Sequence, residues 1–214
     1  MFIWKALESK IKKAGGFVNA HAHFDRAYTL KNSDLEEVVY NDLQDKWKLV
    51  DSFKRKANIS RYLTNILQAL ESQKEYGTTT CLSFIDIDPV VGTKAIDAAV
   101  RAKNFAAMIG VGFKVACQTL KGITEPEPQR LIIDALEQDK IDIIGSLPGA
   151  DKGREILHLD NVLMIGHIFD KRVHVHVDQL NTAKERYLKL QGAVEGLNIL
   201  QDQSAPAPTT EEEA

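Results

Sequence analysis

Cysteine is nearly absent from this chain: Cys81 and Cys117 are the two in 214 residues, and each sits inside an apolar, strand-like run. A disulfide framework and a cysteine-type zinc site are both excluded, and small buried thiols are the expected state. Long hydrophobic runs are lacking too. The opening Met1-Phe2-Ile3-Trp4-Lys5-Ala6-Leu7-Glu8 is broken by charge before a signal core can form, and no stretch approaches the roughly 20 apolar residues of a membrane span. A cytoplasmic protein with no membrane partner is expected. Charge of one sign is also missing, since 27 Lys+Arg stand against 30 Asp+Glu for a formal net of -3. With no basic stripe and no glycine-rich loop to hold phosphate, nucleic acid is not an expected partner and a phosphoesterase is disfavoured. The His-x-Glu and Pro-Cys-x-x-Cys signatures of the zinc nucleoside deaminases are both absent.

What is present is an ordinary globular balance, 44% hydrophobic and 27% charged, enough for one sizeable core. Ile3, Trp4, Leu7, Ile11 and Ala14 recur at helical spacing before Gly15-Gly16, so residues 1–16 form an N-terminal helical element. Phe17 to Asp25 alternates as a strand, with Val18, Ala20, Ala22 and Phe24 outward and Asn19, His21, His23 and Asp25 inward. A polar stretch follows, and then a helix from Asn58 to Tyr76 stopped by Gly77.

From there strand and helix alternate: Thr78 to Asp88, Thr93 to Ala106, Gly112 to Leu120, and Glu127 to Gln138 entered through Pro126 and Pro128. A fourth strand, Asp142 to Leu147, leads into a helical region reaching Phe169. The fifth, Arg172 to Gln179, precedes a helix at 183–200 opened by a Thr182/Glu185 capping box. Such alternation implies an α/β fold, a TIM-barrel-like parallel βα repeat over 17–202 that is truncated after about five strands, since a full barrel takes roughly 250 residues. Residues 203–214 read as a disordered acidic tail.

Two constellations carry chemistry. His21 and His23, one residue apart on a strand, point to one face and can grip one metal ion; alternatively they are a hydrogen-bonded or exposed pair. On the fifth strand, His174-Val175-His176-Val177-Asp178-Gln179 repeats the pattern, and a barrel interior that places polar residues on two strands suggests a shared site. His174 is either a ligand or a residue that orients its neighbours. Glu75 and Asp88 read as ordinary helix-end and strand-end carboxylates, while His158 and His167, on the helical segment after strand four, are not expected to bear on metal.

Val18-Asn-Ala-His-Ala-His-Phe-Asp25 with Val173-His-Val-His-Val-Asp178 resembles the amidohydrolase superfamily, and within it the cytosine deaminase-like branch. Gly77-Thr-Thr-Thr with Asp86 at the end of strand two, Cys117-Gln118 with Gly122-Ile123 after strand three, and Ile144-Gly-Ser-Leu-Pro148 at strand four resemble the same branch in the same order. The resemblance implies one divalent metal ion, zinc or iron, held by His21, His23 and His176, and water activated toward a pKa of ~7 that attacks a C–N bond of an amino-heterocycle or cyclic amide. It implies Gln118 as the substrate-amide contact, though a strand-end Gln bonding to backbone is an equal reading. Asp178 and Gln179 fall at catalytic positions. The branch carries Glu where Gln179 stands, and an amide cannot shuttle a proton, a role worth ~10²- to 10⁴-fold. Groups expected from strands six to eight have no candidate segment. The alternative is therefore an inert barrel with residual metal binding or a structural role, and a second copy or another polypeptide is expected to cover open barrel edges.

Overall fold

The computed structural model describes residues 2–29 and 43–176. Asp178, Gln179, the helix expected at 183–200 and the acidic tail lie outside the described residues.

Helix α1 (Phe2–Lys13) ends where Gly15 and Gly16 take φ of +93° and +82°, which lets the Gly16 N–H reach back to the Ile11 carbonyl at 2.8 Å. Strand β1 (Phe17–Ala22) stops three residues short of the expected Asp25. The physical reason is Phe24: its N–H donates to Ser83 Oγ at 2.9 Å instead of continuing the ladder, and its ring stacks on Phe113 in the core. Phe24–Arg26 is thereby wound into a single 3₁₀ turn, and His23 sits just before it.

Helix α2 (Leu43–Lys56) occupies what the sequence presents only as a polar stretch. Helix α3 (Ile59–Glu75) begins one residue later than expected because Asn58 is its cap, accepting from the Arg61 N–H at 2.9 Å. Strand β2 (Thr78–Asp86), helix α4 (Lys94–Met108), strand β3 (Gly112–Gln118) and helix α5 (Pro126–Glu137) follow within two residues of the expected bounds. Strand β4 (Ile143–Ser146), a 3₁₀ turn at Pro148–Asp151, helix α6 (Glu155–Ile168) and strand β5 (Arg172–Val175) complete the described elements. No helix among the described residues is long and apolar enough to cross a membrane.

The strands are parallel and lie side by side in chain order, β1-β2-β3-β4-β5. A doubly wound sheet reverses its strand order at a switch point, whereas this one keeps winding in one direction, as a barrel does. The fold is a TIM-barrel-like half-barrel of five strands with helices on its outer face. That outer face buries Cys81, Ile85, Val115, Cys117 and Ile144 against Ile66, Leu70, Ile96, Ile132 and Val162 from the helices. Both cysteines are free and buried.

Register fixes the opposite, inner face. Phe84 pairs with Ala116, Asp86 with Gln118, and Gly145 with His174. A Cβ on Gly145 would stand 2.0 Å from the Cys117 carbonyl oxygen and 2.9 Å from the Phe84 ring, so only glycine fits between them.

Candidate metal centre

Phe84 is the floor on which the histidines stand. Its ring centroid lies 4.7, 5.5, 4.8 and 4.4 Å from those of His21, His23, His174 and His176. Asn19, expected inward with His21, instead pairs with Cys81 and donates to Gln73 of α3 at 3.0 Å on the outer face. A register shift between Asn19 and Ala22 breaks the alternation, and His21 and His23 lie on the inner side with their rings 5.3 Å apart. From the other edge, the His176 N–H donates to the Ser146 carbonyl at 2.8 Å, extending the β4–β5 pairing by one residue past Val175.

The structure thus brings together three of the residues named from sequence: one ligand atom each of His21, His23 and His176 lies within 4.8 Å of the others. His21 Nε2 and His176 Nε2 are 3.3 Å apart. With metal–nitrogen bonds of about 2.0–2.1 Å, two nitrogens on a tetrahedral ion stand about 3.3 Å from one another, so this pair already has the required span. His174 stands beside the trio, its ring 5.6 Å from that of His21, and is not one of the three.

Electrostatics favour neutral rings with available lone pairs. Burial, and then the nearby Arg26, bring His23 down to about 3; burial also lowers His21 and His176. His176 Nδ1 lies 3.2 Å from the Ser146 carbonyl, an acceptor only, so Nδ1 carries the proton and the Nε2 lone pair faces His21. The donor set and its spacing fit a divalent ion. One contact opposes it: an Arg26 guanidinium nitrogen lies 3.3 Å from His23 Nδ1, and donation there leaves the proton on Nε2. Coordination through His23 Nε2 therefore requires Arg26 to give up this bond and keep its ion pair with Asp86 at 2.9 Å.

Beside the trio lies a buried charge cluster that the sequence reading missed. Asp86 receives Arg26 on one oxygen and Lys54 on the other, each at 2.9 Å, and Lys54 also bonds Asp88 at 2.5 Å. Lys54, Asp86 and Asp88 are each at most 1% exposed. Asp88 is thus no ordinary strand-end carboxylate: its other oxygen caps the Val90 and Val91 N–H groups. Burial, and then the Asp86 charge, push Asp25 up to about 7, while Arg26 and Lys54 outweigh burial and hold Asp86 below the usual range. The signal for Lys54 was the helical spacing Val50, Phe53, Lys54 and Ala57, hidden by a lysine on the buried face.

Gln118 ends β3 on the inner face opposite Asp86 and is fully buried. Neither its amide nitrogen nor its amide oxygen has a hydrogen-bond partner among the described residues. A buried amide of this kind is costly to leave unpaired, and it carries both a donor and an acceptor. His158, on α6, is fully buried and bonded at both ring nitrogens, and is not among the three residues of the histidine trio.

No protein-family model matches the chain. It is 36% identical over 183 residues to an uncharacterized protein of Haemophilus influenzae, covering 84% of this chain and 65% of that one. It is 22% identical over 171 residues to N-isopropylammelide isopropyl amidohydrolase of Pseudomonas sp. strain ADP, covering 78% of this chain and 42% of that one. Among solved structures, 5-methylcytosine deaminase from Klebsiella pneumoniae, liganded with phosphonocytosine, matches with a TM-score of 0.67 at 19% identity, over 76% of this chain and 39% of that one. N-isopropylammelide isopropylaminohydrolase from Burkholderia multivorans matches at 0.57 and 18%, over 85% and 46%. The chain therefore spans between about two fifths and two thirds of the length of the proteins it matches. The resemblance read from its sequence agrees with these neighbours, which share the fold of the described half-barrel.

Proposed function

We propose that this chain, built on the amidohydrolase-type barrel, is the metal-holding part of a hydrolase that cleaves a C–N bond of a cyclic amide or amino-heterocycle. The observation that carries the reading is the His21, His23 and His176 trio, with its 3.3 Å span between Nε2 atoms. A divalent ion held there, zinc or iron, would supply Lewis acidity that lowers the pKa of water to about 7 and so provides a nucleophile at neutral pH.

The chain's own residues divide the remaining work. Neutral His21 and His176 offer nitrogen lone pairs on one side of the inner face, and His23 joins them once Arg26 gives up its bond to Nδ1. Gln118, opposite Asp86, offers an N–H to a ring carbonyl or ring nitrogen and a C=O to an adjacent N–H, which aligns the reacting carbon. Asp178 and Gln179 are the proposed catalytic pair beyond β5. The edges at β1 and β5 are proposed to be covered by further polypeptide or a second copy, since open strands invite pairing. Metal content of the purified chain tests the reading: about one zinc or iron per chain supports it, and its absence after reconstitution ends it.

A second reading, a barrel that binds metal without turnover, is favoured by Gln179, whose amide cannot carry a proton from water to a ring nitrogen. Steady-state assays with cytosine and a panel of cyclic amides separate the two, because only the first reading gives turnover that depends on added metal.

A further inference from the structure

Behind His176, outside the barrel interior, runs a buried chain of hydrogen bonds. Ser146 Oγ is 3.0 Å from His158 Nε2, and His158 Nδ1 is 2.7 Å from Asp151 Oδ2. Ser146, His158 and Asp151 are 1%, 0% and 4% exposed. Asp151 is pinned in turn by the Ile123 N–H and the Thr124 hydroxyl, each at 2.6 Å, which tie the loop after β3 to the turn after β4.

The atomic order Ser-His-Asp is that of a nucleophilic triad, but a serine 1% exposed on a central strand cannot meet a substrate. Its polarity has another consequence. The Asp151 carboxylate only accepts, so His158 donates to it from Nδ1 and holds the Ser146 hydroxyl at Nε2. The Ser146 side chain is thus held toward α6, while its carbonyl points within the sheet at β5. That carbonyl takes two bonds from His176, from its N–H at 2.8 Å and from Nδ1 at 3.2 Å.

We infer that Asp151, His158 and Ser146 form a positioning relay that fixes His176 in its Nδ1–H form, with the Nε2 lone pair aimed at His21. This rests on the reading of His176 as a metal ligand. Groups that orient a ligating histidine through its other nitrogen typically change metal affinity by about 10- to 100-fold when removed. Here the orienting group is a backbone carbonyl, and its placement is controlled from the far side of the sheet by a serine hydroxyl, an imidazole and a carboxylate.

The test uses the full chain with Ser146→Ala and Asp151→Asn, and Ser146→Thr as the conservative variant that keeps the hydroxyl. Long-range ¹⁵N–¹H correlation spectra of the metal-free protein report the proton position on His176, and competition with a chelator reports Zn²⁺ affinity. The expected result is Nδ1–H in the starting protein and in Ser146→Thr, mixed tautomers in Ser146→Ala and Asp151→Asn, and a 10- to 100-fold loss of Zn²⁺ affinity in those two. Folded Ser146→Ala with an unchanged His176 tautomer and unchanged affinity overturns the relay; if Asp151→Asn does not fold, Ser146→Ala alone decides. A starting protein that binds no Zn²⁺, but whose His176 tautomer shifts in Ser146→Ala, keeps the relay and removes the metal reading instead.

Discussion

His21 and His176 are 155 positions apart in the chain, and their Nε2 atoms stand 3.3 Å from each other. Nothing local brings them together: the approach is the product of a sheet that winds β1 to β5 in one direction around the Phe84 ring. Two neutral imidazoles this close either share one proton or share one cation.

The first prediction concerns that choice. His21→Ala and His176→Ala are each expected to lose stoichiometric metal, with affinity falling by more than the about 10- to 100-fold typical of outer hydrogen-bonding partners. His167→Ala, on an exposed position of α6, should leave metal content unchanged. Metal analysis after dialysis against a weak chelator reads the difference, and equal content in all three variants would remove the trio from the proposal.

Lys54 supports the second prediction. Its ammonium group is the shared partner of Asp86 and Asp88, all three buried, so Lys54→Met leaves two carboxylates competing for one remaining cation, Arg26. Breaking a buried pair by removing one partner costs about 3–5 kcal/mol, read as a lowered urea midpoint. Adding Asp88→Asn to Lys54→Met should recover part of that loss. No recovery would show that Lys54 contributes through its packing rather than its charge.

How far the site was legible follows from the same residues. His21, His23 and His176 could be read because strand periodicity puts alternate residues on one face, and polar residues on a barrel's inner face stand out against the expected Val, Ile and Leu. The βα alternation was legible for the same reason, with bounds shifted by a residue or two. Helix α2 was not, since its buried face carries Asp51 and Lys54, which break the apolar stripe that marks a helix. The end of β1 was also hidden: Phe24 keeps the alternation of a strand, and only the Ser83 hydroxyl, 59 positions away, captures its N–H. The relay behind His176 was hidden because tertiary contact alone relates Ser146, Asp151 and His158.

The third prediction is a pH dependence at Asp142, remote from the histidines. Burial acts to raise its pKa, but hydrogen bonds from the Lys103 ammonium and the Val115 N–H, each 2.8 Å away, and the Lys114 charge outweigh it and hold it below the usual range. A carboxylate depressed in the folded state adds stability that is present above its unfolded pKa of about 3.9 and is lost as pH falls through the lower folded value. The stability difference between the starting protein and Asp142→Asn should therefore be full above about pH 5 and shrink on acidification. A difference that stays constant from neutral to acid pH would contradict the assignment.

The last prediction separates a binding residue from a structural one at Gln118. A buried glutamine that serves the fold has its amide paired, and removing it destabilises the protein. Gln118 is fully buried with both amide atoms unpartnered among the described residues, and a buried amide left unpaired costs about 1–3 kcal/mol, which a bound ligand's polar groups would relieve. Gln118→Leu keeps the volume and discards the unpaired amide. The variant is expected to unfold at a higher urea concentration than the starting protein, by the equivalent of about 1 kcal/mol, while calorimetric binding of cytosine or a cyclic amide weakens or disappears. A rise in stability with loss of binding is the signature of a residue kept for recognition at the expense of the fold. A fall in stability with binding intact would instead make Gln118 part of the scaffold, and the pairing of Asp86 with Gln118 at the ends of β2 and β3 would then define the strand ends rather than the mouth of a substrate site.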